Sequence, residues 1–193
     1  MEQLIFATNN LHKVEEIKKL IPGKLFDIKS LQEAGIIVDI PEPHNTLEKN
    51  ATEKSTVIYS LTRTNCFSED TGLEVEALDG EPGVRSARYA EDKTFKDNID
   101  KLLFKLRAKL NRKAQFRTVI SLILKGNEYT FEGICKGIII AERRGVKGFG
   151  YDSVFMPDGA EKTFAEMSLE EKNIYSHRRK AVDKLIEFLQ KKL

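Results

Sequence analysis

Strand-like and helix-like segments alternate along this chain of 193 residues, and that alternation restricts its fold more than any other feature. The apolar segment at 3–7 predicts a short buried strand. A helix then follows, with Val14, Ile17 and Ile21 at helical spacing. Interleaved strands and helices favour a mixed α/β fold. No repeat or flexible linker interrupts the pattern, so we expect one domain over residues 1–193.

Composition and charge exclude several classes of protein. The formal net charge is only +2, and no aromatic–basic stripe is visible, which argues against a nucleic-acid-binding protein. Apolar runs such as 137–141 have the length of a strand and are too short for a membrane span. The first ten residues have no basic region before their apolar stretch, so no signal peptide is expected. Cys66 and Cys135 lack partners at metal spacing and are expected to be buried thiols of a cytoplasmic protein.

Capping residues predict where two of the helices begin and end. We expect Asn10 to be the N-cap of the first helix, which Pro22 and Gly23 would end. The spacing of Thr94 and Asp97 predicts the start of an amphipathic helix whose apolar face extends to Leu110.

Two further helices carry the capping-box pattern. Asn45 and Glu48 have this spacing at the start of a helix that would bury Leu61, and Ser168 and Glu171 have it near the C-terminus. Each pair would satisfy backbone N–H groups at the first turn of its helix.

A phosphate-binding turn is predicted between the first strand and the first helix. Backbone N–H groups at a helix start attract anions, and Lys13 adds a full positive charge there. The turn lacks the glycines of a Walker loop or a dinucleotide fingerprint. The alternative is an ordinary capped helix with a surface lysine. The candidate residues are Thr8, Asn9, Asn10, Leu11, His12 and Lys13.

An acidic turn follows the strand that contains Cys66. Glu69 and Asp70 are adjacent carboxylates, followed by the hydroxyl of Thr71 and by Gly72. Such a group suits a divalent cation with oxygen ligands, or a general base that orients water. The alternative is a solvent-exposed turn.

Two later segments add an aromatic ring and positive charge. Phe149 lies between glycines, which would let the backbone approach a ligand that stacks on the ring, although a plain bulge would also explain them. Asp152 offers an acceptor or a metal ligand. His177 and Arg178 start a helix, where positive charge opposes the macrodipole and favours an electron-rich ligand. The four segments together suit a nucleoside polyphosphate with Mg²⁺.

The sequence resembles the inosine triphosphate pyrophosphatases over nearly its whole length. The matching segments, in family order, are ATNNLHK at 7–13, TLEKNA at 46–51, EDTGLEVEALDGEPGVRSARYA at 69–90, GFGYDSVF at 148–155 and EEKNIYSHR at 170–178. The resemblance implies hydrolysis of ITP, dITP and XTP to the nucleoside monophosphate and pyrophosphate. It also implies a homodimer and a fold of two lobes around an elongated mixed sheet flanked by helices. The site would lie in the cleft between the lobes, the second of which would comprise about 75–145.

The resemblance also assigns roles to individual residues. Asp70 would be the proton acceptor and a ligand of Mg²⁺, while Thr71 would touch the substrate. The other implied contacts are Thr8, Asn10 and Lys13 to the triphosphate, Phe149, Gly150, Tyr151 and Asp152 to base and sugar, and Lys172, His177 and Arg178 to phosphate and the purine 6-oxo group.

The metal site departs from the family pattern. Many members have Glu where this chain has Lys49, and Glu48 lies one residue earlier, about 100° around a helix. We therefore expect Mg²⁺ on Asp70, with help from Glu69 or Glu48. A non-catalytic nucleotide-binding protein, in which Lys49 displaces the metal, is the alternative.

Overall fold

The computed structural model describes residues 2–21 and 26–192, which fall into two compact units. The first unit contains the described residues within Met1–Asp70, Thr118–Gly133 and Arg179–Leu193. The second contains Thr71–Arg117 and Ile134–Arg178. The second unit thus omits 118–133 and extends to Arg178, whereas the resemblance implies a second lobe formed mainly by about 75–145.

Strands and helices alternate in the described residues as the sequence predicts. The strands are β1 Glu2–Phe6, β2 Phe26–Ser30, β3 Cys66–Val75, β4 Pro82–Gly83, β5 Lys113–Leu124, β6 Asn127–Ile139 and β7 Phe155–Pro157. The α-helices are α1 Leu11–Leu20, α2 Leu47–Thr62, α3 Asn98–Leu106, α4 Leu169–Tyr175 and α5 His177–Lys192. None of these described helices combines the length and the apolar character needed to cross a bilayer.

The sheet is mixed, which confirms the predicted α/β class. Its hydrogen-bonded order is β2-β1-β3-β5-β6-β7, and β4 pairs with β3. β1 is parallel to both of its neighbours, while β4 and β7 run antiparallel to theirs. A strand with parallel neighbours on both sides is typically covered on both faces, which explains the uninterrupted apolar run at 4–7.

The first unit has an apolar cluster on each face of β1. Leu4 and Phe6 pack with residues of α1 and α5, whereas Ile5 packs with Ile58 of α2. Phe6 also stacks on its register partner Phe67, with ring centroids 4.5 Å apart and nearly parallel planes. These contacts fix the end of β1, from which the turn at residues 8–10 leaves.

The second unit has its own core beneath α3. Ile99, Leu102 and Leu106 of this helix pack with Leu73 of β3 and Phe116 of β5, in a cluster that also contains Cys135. Both cysteines of the chain are buried thiols that form no disulfide, as predicted.

Two helix starts match their predicted caps. The Asn10 side chain accepts a hydrogen bond from the backbone N–H of Lys13, and Ser168 forms a complete capping box with Glu171. The first helix ends at Leu20, and the predicted stop signal at residues 22–23 lies outside the described residues.

Two other helix starts were predicted wrongly. The N-cap of α2 is Thr46, whose hydroxyl accepts from the backbone N–H of Lys49. The third helical residue, where a capping box needs Glu or Gln, is therefore Lys49 and not Glu48. Leu61 is exposed on this helix. The N-cap of α3 is Asp97 rather than Thr94, and Leu110 lies beyond the helix and is exposed.

Asp97→Ala is expected to lower the free energy of unfolding by about 1 kcal/mol, because the N–H of Asp100 loses its acceptor. Urea denaturation measures the change. Asp97→Asn keeps a capping oxygen while it removes the charge that pairs with Arg143, and should retain most of the stability. Thr94→Ala should change stability by less than about 0.5 kcal/mol. A larger loss in Thr94→Ala than in Asp97→Ala would contradict the observed cap.

Candidate functional site

The turn after β1 is shaped by its own polar side chains. The hydroxyl of Thr8 accepts from the backbone N–H of Asn10, and Asn9 donates through Nδ2 to the carbonyl of Val38. These contacts, with the Asn10 cap, hold the start of α1 in place. Asn9, Asn10, Leu11 and His12 are exposed, so an anion can reach this helix N-terminus.

Lys13 connects this turn to the acidic segment of β3. Its ammonium lies 3.3 Å from Oε1 of Glu69, whose side chain is fully buried. The positive charge predicted for the turn is therefore held beside the carboxylates of Glu69 and Asp70. These two residues lie buried in the middle of β3, so the acidic turn predicted after the strand was wrong.

Asp70 is the centre of a buried charged group in the first unit. Nζ of Lys54 donates to Oδ1 of Asp70 at 2.9 Å and to Oε1 of Glu42 at 2.6 Å. Asp70 Oδ2 is also buried, and it has no hydrogen-bond partner among the described residues. A buried carboxylate oxygen without an internal partner is costly unless a ligand completes its coordination.

Burial raises the pKa of the Asp70 carboxyl, although the cations of Lys54 and Lys13 oppose the shift. Burial also disfavours the charge of Lys54, but the carboxylates of Asp70 and Glu42 outweigh it, so the pKa of this lysine lies above its ordinary value. Lys54 therefore stays protonated, while Asp70 takes up a proton more readily than an exposed aspartate.

The carboxylates fit Mg²⁺ as a partial ligand set. No group of three or more His, Cys, Asp or Glu side chains within residues 2–21 and 26–192 could hold a metal by itself. Mg²⁺ commonly keeps several waters and takes one or two carboxylates together with substrate phosphates. The unpartnered oxygen of Asp70 suits that coordination. Glu48 is exposed near the start of α2.

A second charged group lies in the second unit. Oδ2 of Asp152 accepts from the backbone N–H of Phe149 at 3.1 Å and from Nζ of Lys172 at 2.8 Å. The Lys172 ammonium is 5.6 Å from the centroid of the Phe149 ring, and the Arg178 guanidinium is 5.8 Å from it. The structure thus brings together four of the residues predicted from separate segments.

Three of the predicted residues, Tyr151, His177 and Arg178, are buried in the second unit. The ring of His177 stacks on Phe116, with centroids 4.7 Å apart, and His177 and Arg178 are both buried at the start of α5. Tyr151 is buried as well, and its hydroxyl donates to the carbonyl of Ser86. Burial raises the pKa of this tyrosine. Gly150 is exposed, and Thr71 is half-buried.

Sequence reasoning missed Glu42 and Lys54. Lys54 stands in the inward stripe of α2, three residues after Ala51 and four before Ile58. A lysine in such a stripe predicts a buried ion pair, because lysine is almost never fully buried unless it is paired. Glu42 lies between two prolines, and nothing in this local sequence indicates that Glu42 pairs with Lys54.

Comparisons with known proteins agree on one family. Residues 4–188 match the model of the Ham1 family. A dITP/XTP pyrophosphatase of Porphyromonas gingivalis is 51% identical over 191 residues, with 98% of each chain covered. One of Flavobacterium johnsoniae is 48% identical over 188 residues, with 97% of each chain covered. The solved structure of the Staphylococcus aureus Ham1 protein is similar, with a TM-score of 0.89, 37% identity and full coverage of both chains.

Lys54→Met is expected to lower the free energy of unfolding by about 3–5 kcal/mol at neutral pH, because it leaves the buried carboxylate of Asp70 and the half-buried carboxylate of Glu42 without the lysine that binds both. The pKa of Asp70 should rise further in the variant, so the loss of stability should shrink as the pH falls and Asp70 is protonated. Urea denaturation at several pH values measures this. Lys18→Met, which removes a more exposed pair with Glu33, should cost less than about 1 kcal/mol. Equal losses in the two variants would contradict the structural importance of Lys54.

Proposed function

The chain belongs to the Ham1 family, and from this premise and the geometry of its two charged groups we propose that it hydrolyses non-standard purine nucleoside triphosphates. The substrates would be dITP, ITP and XTP, and the products a nucleoside monophosphate and pyrophosphate. The buried Asp70 oxygen that has no hydrogen-bond partner among the described residues carries this proposal. Lys54 binds the other oxygen of the same carboxylate and Lys13 pairs with the adjacent Glu69, so the place suits phosphate and a divalent cation.

Asp70, together with Glu69, would hold Mg²⁺. When bound there, the ion would supply positive charge to the oxygens of the triphosphate. Lys54 donates to Oδ1 of Asp70 and thereby fixes the direction of the carboxylate. Lys13 and the exposed N-terminus of α1 would receive the phosphate groups, as the resemblance implies.

The chemical step would be attack of water on the α-phosphorus. A bond forms between the water oxygen and the α-phosphorus, and the bond to the bridging oxygen of the leaving pyrophosphate breaks. Asp70 would orient the water and accept its proton, which requires the carboxylate form. Lys13 would offset the charge that develops on the pyrophosphate.

The purine base would contact the group in the second unit. The Phe149 ring offers a stacking surface, and Lys172 and Arg178 are donors within 6 Å of its centroid. A 6-oxo group accepts from such donors, whereas the 6-amino group of adenine presents donors to donors. A buried donor left unpaired costs about 1–3 kcal/mol, which favours 6-oxo purines over ATP by roughly 5- to 150-fold.

Pyrophosphate release from dITP, XTP and ATP, each with and without Mg²⁺, tests the function. Fast release from dITP and XTP that requires Mg²⁺ is the expected result. Tight binding of dITP without release would instead identify a non-catalytic nucleotide-binding protein. We also propose that the protein is a cytoplasmic homodimer, as the resemblance implies. Light scattering on the same sample should then give the mass of two chains of 22.0 kDa each.

Asp70→Asn is expected to abolish pyrophosphate release and leave the protein folded, because the amide can neither accept the proton nor bind the cation as a carboxylate does. Burial raises the pKa of Asp70 above its ordinary 3.8, so the activity of the unchanged enzyme should fall with decreasing pH before an ordinary aspartate is protonated. A pH profile of kcat/KM measures this. Asp27→Asn changes an exposed carboxylate of β2 and serves as control. Normal turnover in Asp70→Asn would show that Asp70 is not the proton acceptor.

A further inference from the structure

The carboxylate of Asp152 occupies space that only a glycine at position 148 leaves open. Gly148 has a φ of +75°, and a Cβ there would lie 2.0 Å from Oδ2 of Asp152 and 3.0 Å from its Cγ. An alanine would therefore have to displace the carboxylate. The close approach lets Asp152 accept the backbone N–H of Phe149, one residue after the glycine.

The same oxygen also binds a cation on another element. Lys172 lies on α4, whose first turn is fixed by the capping box of Ser168 and Glu171, and its ammonium donates to Oδ2 of Asp152. Both partners are almost fully buried. One carboxylate oxygen thus joins the loop that carries Phe149 to the helix that carries Lys172.

We propose, on the basis of the function proposed above, that Asp152 is a positioning residue. Its carboxylate sets the place of Lys172 beside the Phe149 ring, and it acts on the nucleotide through these two residues rather than through a contact of its own with base, sugar or Mg²⁺. A change at Asp152 should therefore weaken nucleotide binding only while Lys172 is present.

A double-mutant cycle of Asp152→Asn and Lys172→Gln tests this role. Asparagine keeps an oxygen that can accept the N–H of Phe149 and loses the charge that holds Lys172. Each single variant should raise the KM for dITP by roughly 10- to 100-fold, with a smaller change in kcat, because one charge-assisted contact is lost. The double variant should resemble Lys172→Gln alone. If Asp152→Asn has its full effect in the Lys172→Gln background, the proposal is wrong.

The Mg²⁺ dependence separates positioning from metal binding. In Asp152→Asn, the Mg²⁺ concentration for half-maximal activity should stay that of the unchanged protein at saturating dITP. An increase of about 10-fold or more would make Asp152 a metal ligand and would overturn the proposal.

Two glycine variants repeat the test without a change of charge. Gly148→Ala should displace the carboxylate and raise the KM for dITP, and its effect should largely disappear in the Asp152→Asn background. Gly159→Ala imposes similar backbone strain, since its φ is +80°, but its Cβ would meet no atom within 4 Å. This control should keep the KM of the unchanged protein, with circular dichroism to verify folding of each variant. Equal KM values in the two alanine variants would overturn the proposal.

Calorimetric binding of dITP without Mg²⁺ separates this proposal from the proposed function. If the unchanged protein releases no pyrophosphate, yet the dissociation constants of the four proteins show the same non-additivity, the hydrolysis is wrong and the positioning role stands. If dITP is neither bound nor hydrolysed, both are wrong.

Discussion

The ion pair between Lys54 and Asp70 is the constraint on which the group in the first unit depends. A carboxylate as buried as Asp70 would lose its charge without a cation, and Lys54 supplies one from the inward stripe of α2. Glu42 binds the same ammonium and Lys13 pairs with Glu69, so three carboxylates face two lysines. The formal charges of these five side chains sum to −1, which favours a further cation over an anion that binds alone.

The second unit also contains a buried ion pair, but the named charges beside it sum to a positive value. Asp152 neutralises Lys172, while the buried Arg178 adds a further positive charge beside the same phenyl ring. The formal charges of Asp152, Lys172 and Arg178 sum to +1, which favours an electron-rich group beside the Phe149 ring. The 6-oxo group of the proposed purine substrate meets this condition.

The sequence predicts features whose cause is local, and fails where the cause is tertiary. The α/β class, the Asn10 cap and the Ser168 capping box follow from spacing alone. The cap of α2 was misplaced by one residue, because asparagine and threonine both accept backbone hydrogen bonds and only the chain path decides between them. The pair of Lys54 and Asp70 spans 16 positions and two elements, so no local pattern contains it.

The Thr46 cap also bears on the lysine that departs from the family pattern. Starting α2 at Leu47 turns Asn50 and Lys54 inward and leaves Lys49 exposed, about 140° around the helix from Lys54. The buried side chain of Asn50 bonds both the N–H and the carbonyl of His44, which anchors the segment that carries Glu42. The positive charge at position 49 therefore points away from the buried group, to which Glu42 contributes a third carboxylate. This geometry favours a working metal site over one disabled by Lys49.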